Sequence, residues 1–307
     1  MEDKSIRHKF ELALEHFIER IKLDKNILAI FVAGSVTNGI VWEHSDIDMF
    51  IITNEQTVQQ NFLAIQENDI NIFASIMTRN EFRQISQQFV QGSFWHHILS
   101  TGKLVYVTDQ GIADFNRDLE WVAERDKETQ ILVRTEQLIV TLFKAQKTLF
   151  VEEDIVKSFN WIIMALQELA RILILRAGQI PGRDVLSQVK DLDGILVTGV
   201  IQSFKEGYNK ANLVEAINII EEFLESNKNT LFKPLFEYLE EAAGERRQSE
   251  IDDYFKRALG NIPFFTLAES VEWLSHKGDL VRSVSPKRIT AKSRVTVDEI
   301  TVYYVGG

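Results

Sequence analysis

The chain reads as an α+β protein: a small mixed β-sheet domain with helices, then a helical bundle, then a C-terminal module of helices and a hairpin. Three observations predict this. Two apolar, β-branched runs near the N-terminus, residues 27–33 and 49–53, read as buried strands. Between about residues 115 and 228 apolar residues recur with a helical period instead. From residue 231 three helical stretches precede two β-like runs. A length of 307 residues suggests two or three domains. The expected boundaries are 1–112, 113–229 and 230–307.

Residues 3–22 open the first domain with Ile6, Phe10, Leu14, Phe17, Ile18 and Ile21 on one helical face, a scaffold helix for the sheet. The first strand ends at Gly34-Ser35. Ten residues later Ser45-Asp46-Ile47-Asp48 opens the second. A strand alternates its side chains, so Asp46 and Asp48 point to one face. Two adjacent carboxylates repel unless a divalent cation lies between them. Mg²⁺ suits such a pair, because it takes one or two carboxylates and completes its shell with water and phosphate oxygens. Glycine lets phosphate approach the backbone, and the following N–H groups and hydroxyl can hold phosphate oxygens. A phosphate cradle beside a metal-binding pair makes a phosphoryl- or nucleotidyl-transfer site. Residues 36–40 are expected to form a first helical turn, and His44 to be an inert loop residue.

Gly-Ser, ten residues, then Asp-x-Asp in an apolar strand resembles the signature of the DNA polymerase β-like nucleotidyltransferase superfamily, in particular the small bacterial type similar to kanamycin and lincosamide nucleotidyltransferases. The resemblance covers roughly twenty residues. It implies that Gly34 and Ser35 bind the nucleotide and that Asp46 and Asp48 are the catalytic, metal-holding pair. It implies Mg²⁺ or Mn²⁺, a nucleoside triphosphate donor (ATP expected) and a hydroxyl acceptor. Relatives often carry a basic residue where Asn38 stands here, and a third carboxylate on the third strand.

Residues 54–68 are polar with a helical tendency, and 69–77 read as that third strand. It carries Asn71, Phe73 and Ser75 on one parity, with only Asp69 at its entrance to share the parity of Asn71. A neutral Asn cannot accept a proton from an attacking hydroxyl. The general base is therefore Asp69, a helical-domain carboxylate (Glu136, Glu152, Glu153 or Glu168), or absent. Helices are expected at 79–90 and 93–100, with His96 and His97 as core-edge residues on different helix faces, and a strand at 103–107.

In the bundle, residues 132–149, 156–175 and 213–224 carry the helical period, broken at Pro181-Gly182. This resembles the bundles that accompany small nucleotidyltransferases, including the HEPN group. The HEPN ribonuclease signature needs an Arg followed by a His, and no histidine lies between His97 and His276. Lys144 and Lys147 are one turn apart and are expected to be solvated. The C-terminal module, with helices at 235–243, 251–259 and 267–276 and β-like runs at 280–284 and 295–305, resembles a winged helix. Its end carries five basic residues (Arg282, Lys287, Arg288, Lys292, Arg294) against two acidic ones (Asp298, Glu299). The third helix, with Glu269 and Glu272, is poorly basic, so packing or oligomer contact is favoured over DNA binding.

Composition narrows the classes. No cysteine is present, which removes disulfides, thiolate zinc sites and cysteine nucleophiles. A net charge of −11 does not steer the chain as a whole to nucleic acid. No apolar run approaching 18 residues and no signal-peptide pattern is seen, so a cytoplasmic protein without a membrane span is expected. Homodimerisation stays open. Alternatives to an active nucleotidyltransferase are a regulator or antitoxin of the same fold, motivated by the missing third carboxylate, and a winged-helix nucleic-acid binder.

Overall fold

The structure, a computed structural model, describes residues 4–87 apart from 38 and 40, 102–118, 124–182, 184–192, 195–204, 207–242, 244–259 and 265–305. The chain divides into two units, Met1–Val122 and Ala123–Gly307.

The first unit is a five-stranded mixed sheet with helices on both faces. Helix α1 (Lys4–Ile21) precedes β1 (Ile27–Ala33), β2 (Ile47–Thr53), β3 (Phe62–Glu67), β4 (Ile70–Thr78), α2 (Arg79–Gln87), β5 (Lys103–Val107) and α3 (Gln110–Asp118). The strand order is β3-β4-β2-β1-β5. Only the β2–β4 pair is parallel. The central strands β1 and β2 are covered on both faces, which is why their sequences are continuous apolar runs rather than alternating ones. On one face Phe10 and Phe17 of α1 pack against Ile30, Val32, Met49, Ile51 and Ile72. On the other, Phe31, Ala33, Phe50 and Ile52 pack under Phe82 of α2 and Ile112 of α3. α2 and α3 each start on a side-chain cap. The Thr78 N–H donates to Glu81 Oε2 (2.7 Å) and the Glu81 N–H to Thr78 Oγ1 (3.1 Å), a capping box. The Ile112 N–H donates to Asp109 Oδ1 (3.1 Å). Asp109 also meets Arg79 at 2.7 Å, tying the start of α3 to the start of α2.

The helical tendency read into residues 54–68 is not realised. Residues 62–67 form β3, which pairs antiparallel with β4. The hairpin turns at Asn68 and Asp69, both at positive φ (49° and 64°), the backbone of a tight type I′-like turn. The helix expected at 79–90 is seen as α2, and the one expected at 93–100, with His96 and His97, lies outside the described residues.

In the second unit α4 (Glu124–Phe150) and α5 (Ile155–Arg176) form a long helical hairpin. The turn between them places Glu153 at φ 55°, and Asp154 caps α5 by accepting from the Lys157 N–H (2.9 Å). After the break at Pro181-Gly182 come α6 (Val185–Gln188), α7 (Ile195–Ser203) and α8 (Lys210–Leu231). Then follow α9 (Lys233–Ala242), β6 (Arg246–Arg247), α10 (Gln248–Ala258), α11 (Ala268–Lys277), β7 (Leu280–Arg288) and β8 (Thr296–Tyr304). The three strands form a sheet in the order β6-β8-β7. One apolar core runs through the whole unit, from Ile131 and Leu132 of α4 to Leu280 and Val302 of the hairpin. The bundle from Ile131 on and the C-terminal segment to Val302 therefore share one interior, while residues 113–118 belong to α3 of the first unit. By length and composition alone α5 is apolar enough to cross a membrane, a test that a buried core helix also passes. Its Ile162, Leu166, Leu169 and Ile172 are fully buried against neighbouring helices, which is where its hydrophobicity is used here.

Candidate functional site

Gly34 follows β1 directly and adopts φ 82°, a left-handed conformation that favours glycine. Across the β1–β2 ladder Ala33 pairs with Asp48. A Cβ on Gly34 would lie 2.8 Å from Asp48 Oδ2, closer than real Cβ contacts come. The missing side chain is what lets the turn close beside the carboxylate. The chain after it folds into turns rather than the short helix expected from Val36. Thr37 Oγ1 donates to the Gly34 carbonyl (2.8 Å) and the Gly39 N–H to the Val36 carbonyl (3.3 Å). Just before the acid pair, the Trp42 N–H donates to Ser45 Oγ (3.1 Å) and the Ser45 N–H to the Trp42 carbonyl (3.0 Å). Val36 and Val41 pack into the core beneath α1 and anchor the loop. Ser35 is half-buried next to Gly34.

Asp48 lies in β2 on the face that carries Phe50 and Ile52, and Asp46 precedes the strand with the same parity. Both are half-buried, while Ile47 between them is fully buried on the opposite face. Among the described residues no group of three or more His, Cys, Asp or Glu is placed to hold a metal. The pair is thus a two-carboxylate set. That set fits Mg²⁺ or Mn²⁺, hard cations that fill the rest of their shell from water and substrate phosphates. The parallel register places Phe73 of β4 directly beside Asp48. No carboxylate of the strand flanks the pair. Asp69 lies outside the strand, exposed in the hairpin turn.

The loop from 34 to 46 contains acidic Glu43 and Asp46 and no Lys or Arg. Among the described residues a cation approaches it from α1: a Cβ on Gly39 would be 3.4 Å from Arg7 Nη1. Arg7 is half-exposed and shares Glu11 at 3.0 Å. Trp42 is exposed, with the His44 ring edge-on at 4.6 Å and Glu43 3.6 Å from His44 Nε2. A cavity of about 510 Å³ opens at the other end of β2, lined by Asp24, Asn26, Thr53, Glu55, Gln59 and Gln60 among others. Thr53 is roughly 16 Å along the strand from Asp48 at 3.3 Å per residue, so the two are separate places.

The four glutamates considered as a base all lie in the second unit, and Glu136, Glu152 and Glu168 have partners there. Glu136 is 2% exposed. It accepts from the Ser270 N–H (2.8 Å), Ser270 Oγ (2.5 Å) and the Glu269 N–H (3.3 Å), and so caps the first turn of α11. Burial, helped by the neighbouring Glu269 and opposed by the Ser270 hydrogen bonds, pushes its carboxyl up to about 8. Glu168 bridges Arg171 (2.8 Å) and Arg134 (3.6 Å), and burial holds the Arg134 guanidinium below its usual range. Glu152 pairs with Lys157 at 2.6 Å and Lys147 at 4.0 Å. Glu153 is exposed in the turn. Lys144 lies over the Trp161 ring, 4.5 Å from its centroid.

One feature of the sheet face was hidden in the sequence. Phe62 of β3 stacks on Phe73 (centroids 5.9 Å, 22° between planes) beside the acid pair. Its signal, alternation in Phe62-Leu63-Ala64-Ile65, lies inside the stretch read as helical.

Residues 15–111 match the family model described as Polymerase beta, Nucleotidyltransferase. This segment holds α1 in part, all five strands of the first sheet, and the Gly34 turn with its acid pair. Over nearly the whole chain the fold is similar to the crystal structure of a nucleotidyltransferase-like protein from Exiguobacterium sibiricum 255-15 (TM-score 0.64, 17% identity, 97% of this chain and 100% of that one). No curated protein matches the chain. The first unit thus carries a nucleotidyltransferase-type domain.

Proposed function

We propose that this protein is a nucleotidyltransferase. It moves a nucleoside monophosphate, with ATP the expected donor, to an acceptor hydroxyl. The observation that carries the reading is the contact between the Gly34 backbone and the Asp48 carboxylate across β1 and β2. That closeness supports reading the turn as a phosphate site and the acid pair as a cation site that serve one triphosphate. Gly34 and Ser35 hold the β- and γ-phosphates through backbone N–H groups and the hydroxyl. Asp46 and Asp48 hold Mg²⁺ (or Mn²⁺), which neutralises charge developing on the phosphates. The acceptor oxygen forms a bond to the α-phosphorus, the bond to the β-phosphate oxygen breaks, and pyrophosphate leaves. The hydroxyl proton passes to water or to a carboxylate outside β4, since β4 sets Phe73 rather than a carboxylate beside Asp48. Catalysis then rests on positioning and charge neutralisation.

The test is calorimetric titration of the four common nucleoside triphosphates, with and without Mg²⁺, into wild type, Asp46→Asn and Asp48→Asn. Mg²⁺-dependent binding of one nucleotide, lost in both variants with the fold intact, is the expected result. Unchanged binding in both variants overturns the assignment.

A second reading is favoured by the same Phe73: a regulator or antitoxin that keeps the fold and transfers slowly or not at all. A stable protein partner, together with no transfer from any bound nucleotide, would support it. The order α9, β6, α10, α11, β7, β8, with β8 between β6 and β7, supports reading the C-terminal segment as winged-helix-like.

A further inference from the structure

We propose that the cavity at the far end of β2 is a second ligand site, and that it takes a small aliphatic amine, a molecule with an ammonium head and a short hydrocarbon body. None of its residues belongs to the Gly34 turn or the acid pair, so the site stands whatever those two bind.

The chain connectivity makes the cavity. β2 and β3 follow each other in sequence but are not neighbours, because β4 lies between them. The connection from Asn54 to Asn61 therefore has to pass the end of β4. Its two ends are held: the Asn54 N–H donates to the Asn26 carbonyl (2.8 Å) and the Ile76 N–H to the Asn61 carbonyl (2.9 Å). Between those ends Val58 is the sole apolar residue, and it is half-buried. A segment this polar has little to pack onto the strands beneath it. The space left is about 510 Å³, and it is lined by described residues of the first unit. Small-molecule sites commonly enclose about 300–1,000 Å³. The cavity opens on the α1 face of the sheet, where Ile51 and Met49 of β2 point, whereas Asp48 lies on the other face with Phe50 and Ile52.

The walls have two chemical halves, and together they select the occupant. One half is aliphatic: Ile27 and Ile51 are buried there, while Leu63, Ile65 and Ile76 are covered only in part. No aromatic ring lines the cavity, so a hydrocarbon body gains from burial and a flat ring finds nothing to stack on. The other half is acidic and polar, with Asp24, Glu55, Thr53 and three amides. Asp24 Oδ1 accepts from the Asn26 N–H (2.9 Å). Among the described residues neither Asp24 nor Glu55 has an ion pair, and no Lys, Arg or His lines the cavity. The cations at the end of α1 are engaged elsewhere, Arg20 with Glu67 (2.5 Å) and Lys22 with Glu19. Lys25, next to Asp24 in sequence, is exposed and does not line the cavity. Two uncompensated carboxylates turn anions away and favour a cation. An ammonium group has three donors and no acceptor, which suits carboxylate, hydroxyl and amide oxygens. A metal ion would leave the aliphatic half wet, and a plain hydrocarbon would leave the carboxylates uncompensated. An aliphatic amine satisfies both halves.

The probe is n-hexylamine, protonated at neutral pH as a lysine side chain is. Hexanol, hexanoate and methylamine are the controls. Each is titrated into the full chain carrying ¹³C-labelled isoleucine methyl groups, and binding is read from the methyl resonances. Hexylamine should shift the methyls of Ile27, Ile51 and Ile76 in a saturable way. Hexanol should bind more weakly, and hexanoate and methylamine should leave these methyls unmoved. Glu55→Gln, at an exposed position, and Asp24→Asn, which keeps an acceptor for the Asn26 N–H, should both preserve the thermal midpoint. Each should weaken hexylamine roughly twofold to fivefold, the scale of an exposed ion pair, and the double variant on the order of tenfold. Hexanol affinity should be the same in the double variant and wild type. Asp48→Asn, roughly 16 Å along β2, should bind hexylamine as wild type does. No saturable shift of these methyls, or shifts confined to other isoleucines, overturns the site. Equal affinity for hexylamine and hexanol, tight binding of hexanoate, or unchanged hexylamine affinity in the double variant overturns the amine assignment. Loss of hexylamine binding in Asp48→Asn overturns the separation from the acid pair.

Discussion

Gly34→Ala tests whether the turn serves the carboxylate beside it. Two costs arise. An L-residue held in the left-handed region loses roughly 1–2 kcal/mol. The new methyl would also stand 2.8 Å from Asp48 Oδ2. To reach ordinary contact, at 3.4 Å or more, the oxygen must retreat by about 0.6 Å. It ends a short side chain that can turn, so the fold should survive and the stability loss should stay near the backbone cost. Binding should suffer more. Mg²⁺ demands near-ideal ligand geometry at about 2.0–2.1 Å, and a displaced carboxylate no longer meets it. We expect Mg²⁺–nucleotide affinity to fall on the order of tenfold or more, a loss of about 1.4 kcal/mol at least. Gly178→Ala supplies the control: φ is 74° there and nothing lies within 4 Å of the added Cβ. It should lose similar stability in urea titration and bind nucleotide as wild type does. Wild-type affinity in Gly34→Ala, with the stability loss present, would refute the claim that this glycine exists to seat Asp48.

Two titrating groups give further outcomes. Glu136 is held protonated well above its usual 4.5, to about 8, so the folded state binds its proton more tightly than the unfolded state does. Its stabilising contribution is full below 4.5 and is lost as pH rises toward 8, at a limit of about 1.4 kcal/mol per pH unit. Thermal midpoints of Glu136→Gln should therefore vary less than those of wild type between pH 5 and 8; an unchanged slope would contradict this. Glu136→Ala should cost about 1–2 kcal/mol or more in urea titration, because the first turn of α11 loses its acceptor. Asp109 is the opposite case. Burial raises its carboxyl, but the Arg79 partner and the Ile112 N–H outweigh burial and hold it below the usual 3.8. Its contribution is present above that value and is lost as pH falls through the folded-state value. Asp109→Ala should cost roughly 1 kcal/mol at neutral pH, as loss of an N-cap does. The gap to wild type, followed by circular dichroism in urea, should close in acid.

What the sequence discloses depends on how far apart the cooperating residues lie. Strands β1 and β2 are legible because both faces are buried, so every residue from Ile27 to Ala33 belongs to one apolar run. The Gly-Ser turn and acid pair are legible because their relation is a short spacing on neighbouring strands. β3 is not. It is a six-residue edge strand with one open face, and its polar approach from residue 54 masks the alternation. The Asn68-Asp69 pair was the available clue, since both residues tolerate the positive φ that a tight hairpin requires. Missing β3 also hid the Phe62–Phe73 stack, which exists only once the register is known. Glu136 was unreadable for another reason. Its partner Ser270 is 134 residues away, so on its own helix it looks like any surface glutamate.

That same pairing bears on the C-terminal hairpin. A winged helix that reads DNA needs a free face on the helix before the wing. Here Val271, Trp273 and Leu274 of α11 are buried in the core, and its first turn is occupied by Glu136. Its outer residues are engaged too. Glu272 meets His276 (3.1 Å) and Arg282, and Lys277 reaches Glu225 at 3.0 Å. Two of the five basic residues of the hairpin region are paired within the unit, Arg282 with Glu272 and Lys287 with Glu299. Arg288, Lys292 and Arg294 are exposed near the tip, a cationic end without a reading helix behind it. Such an end would touch phosphates without distinguishing sequence. The burial of α11 instead joins the hairpin to the bundle, so the layout acts in this chain as a way of closing one core from Ile131 to Val302.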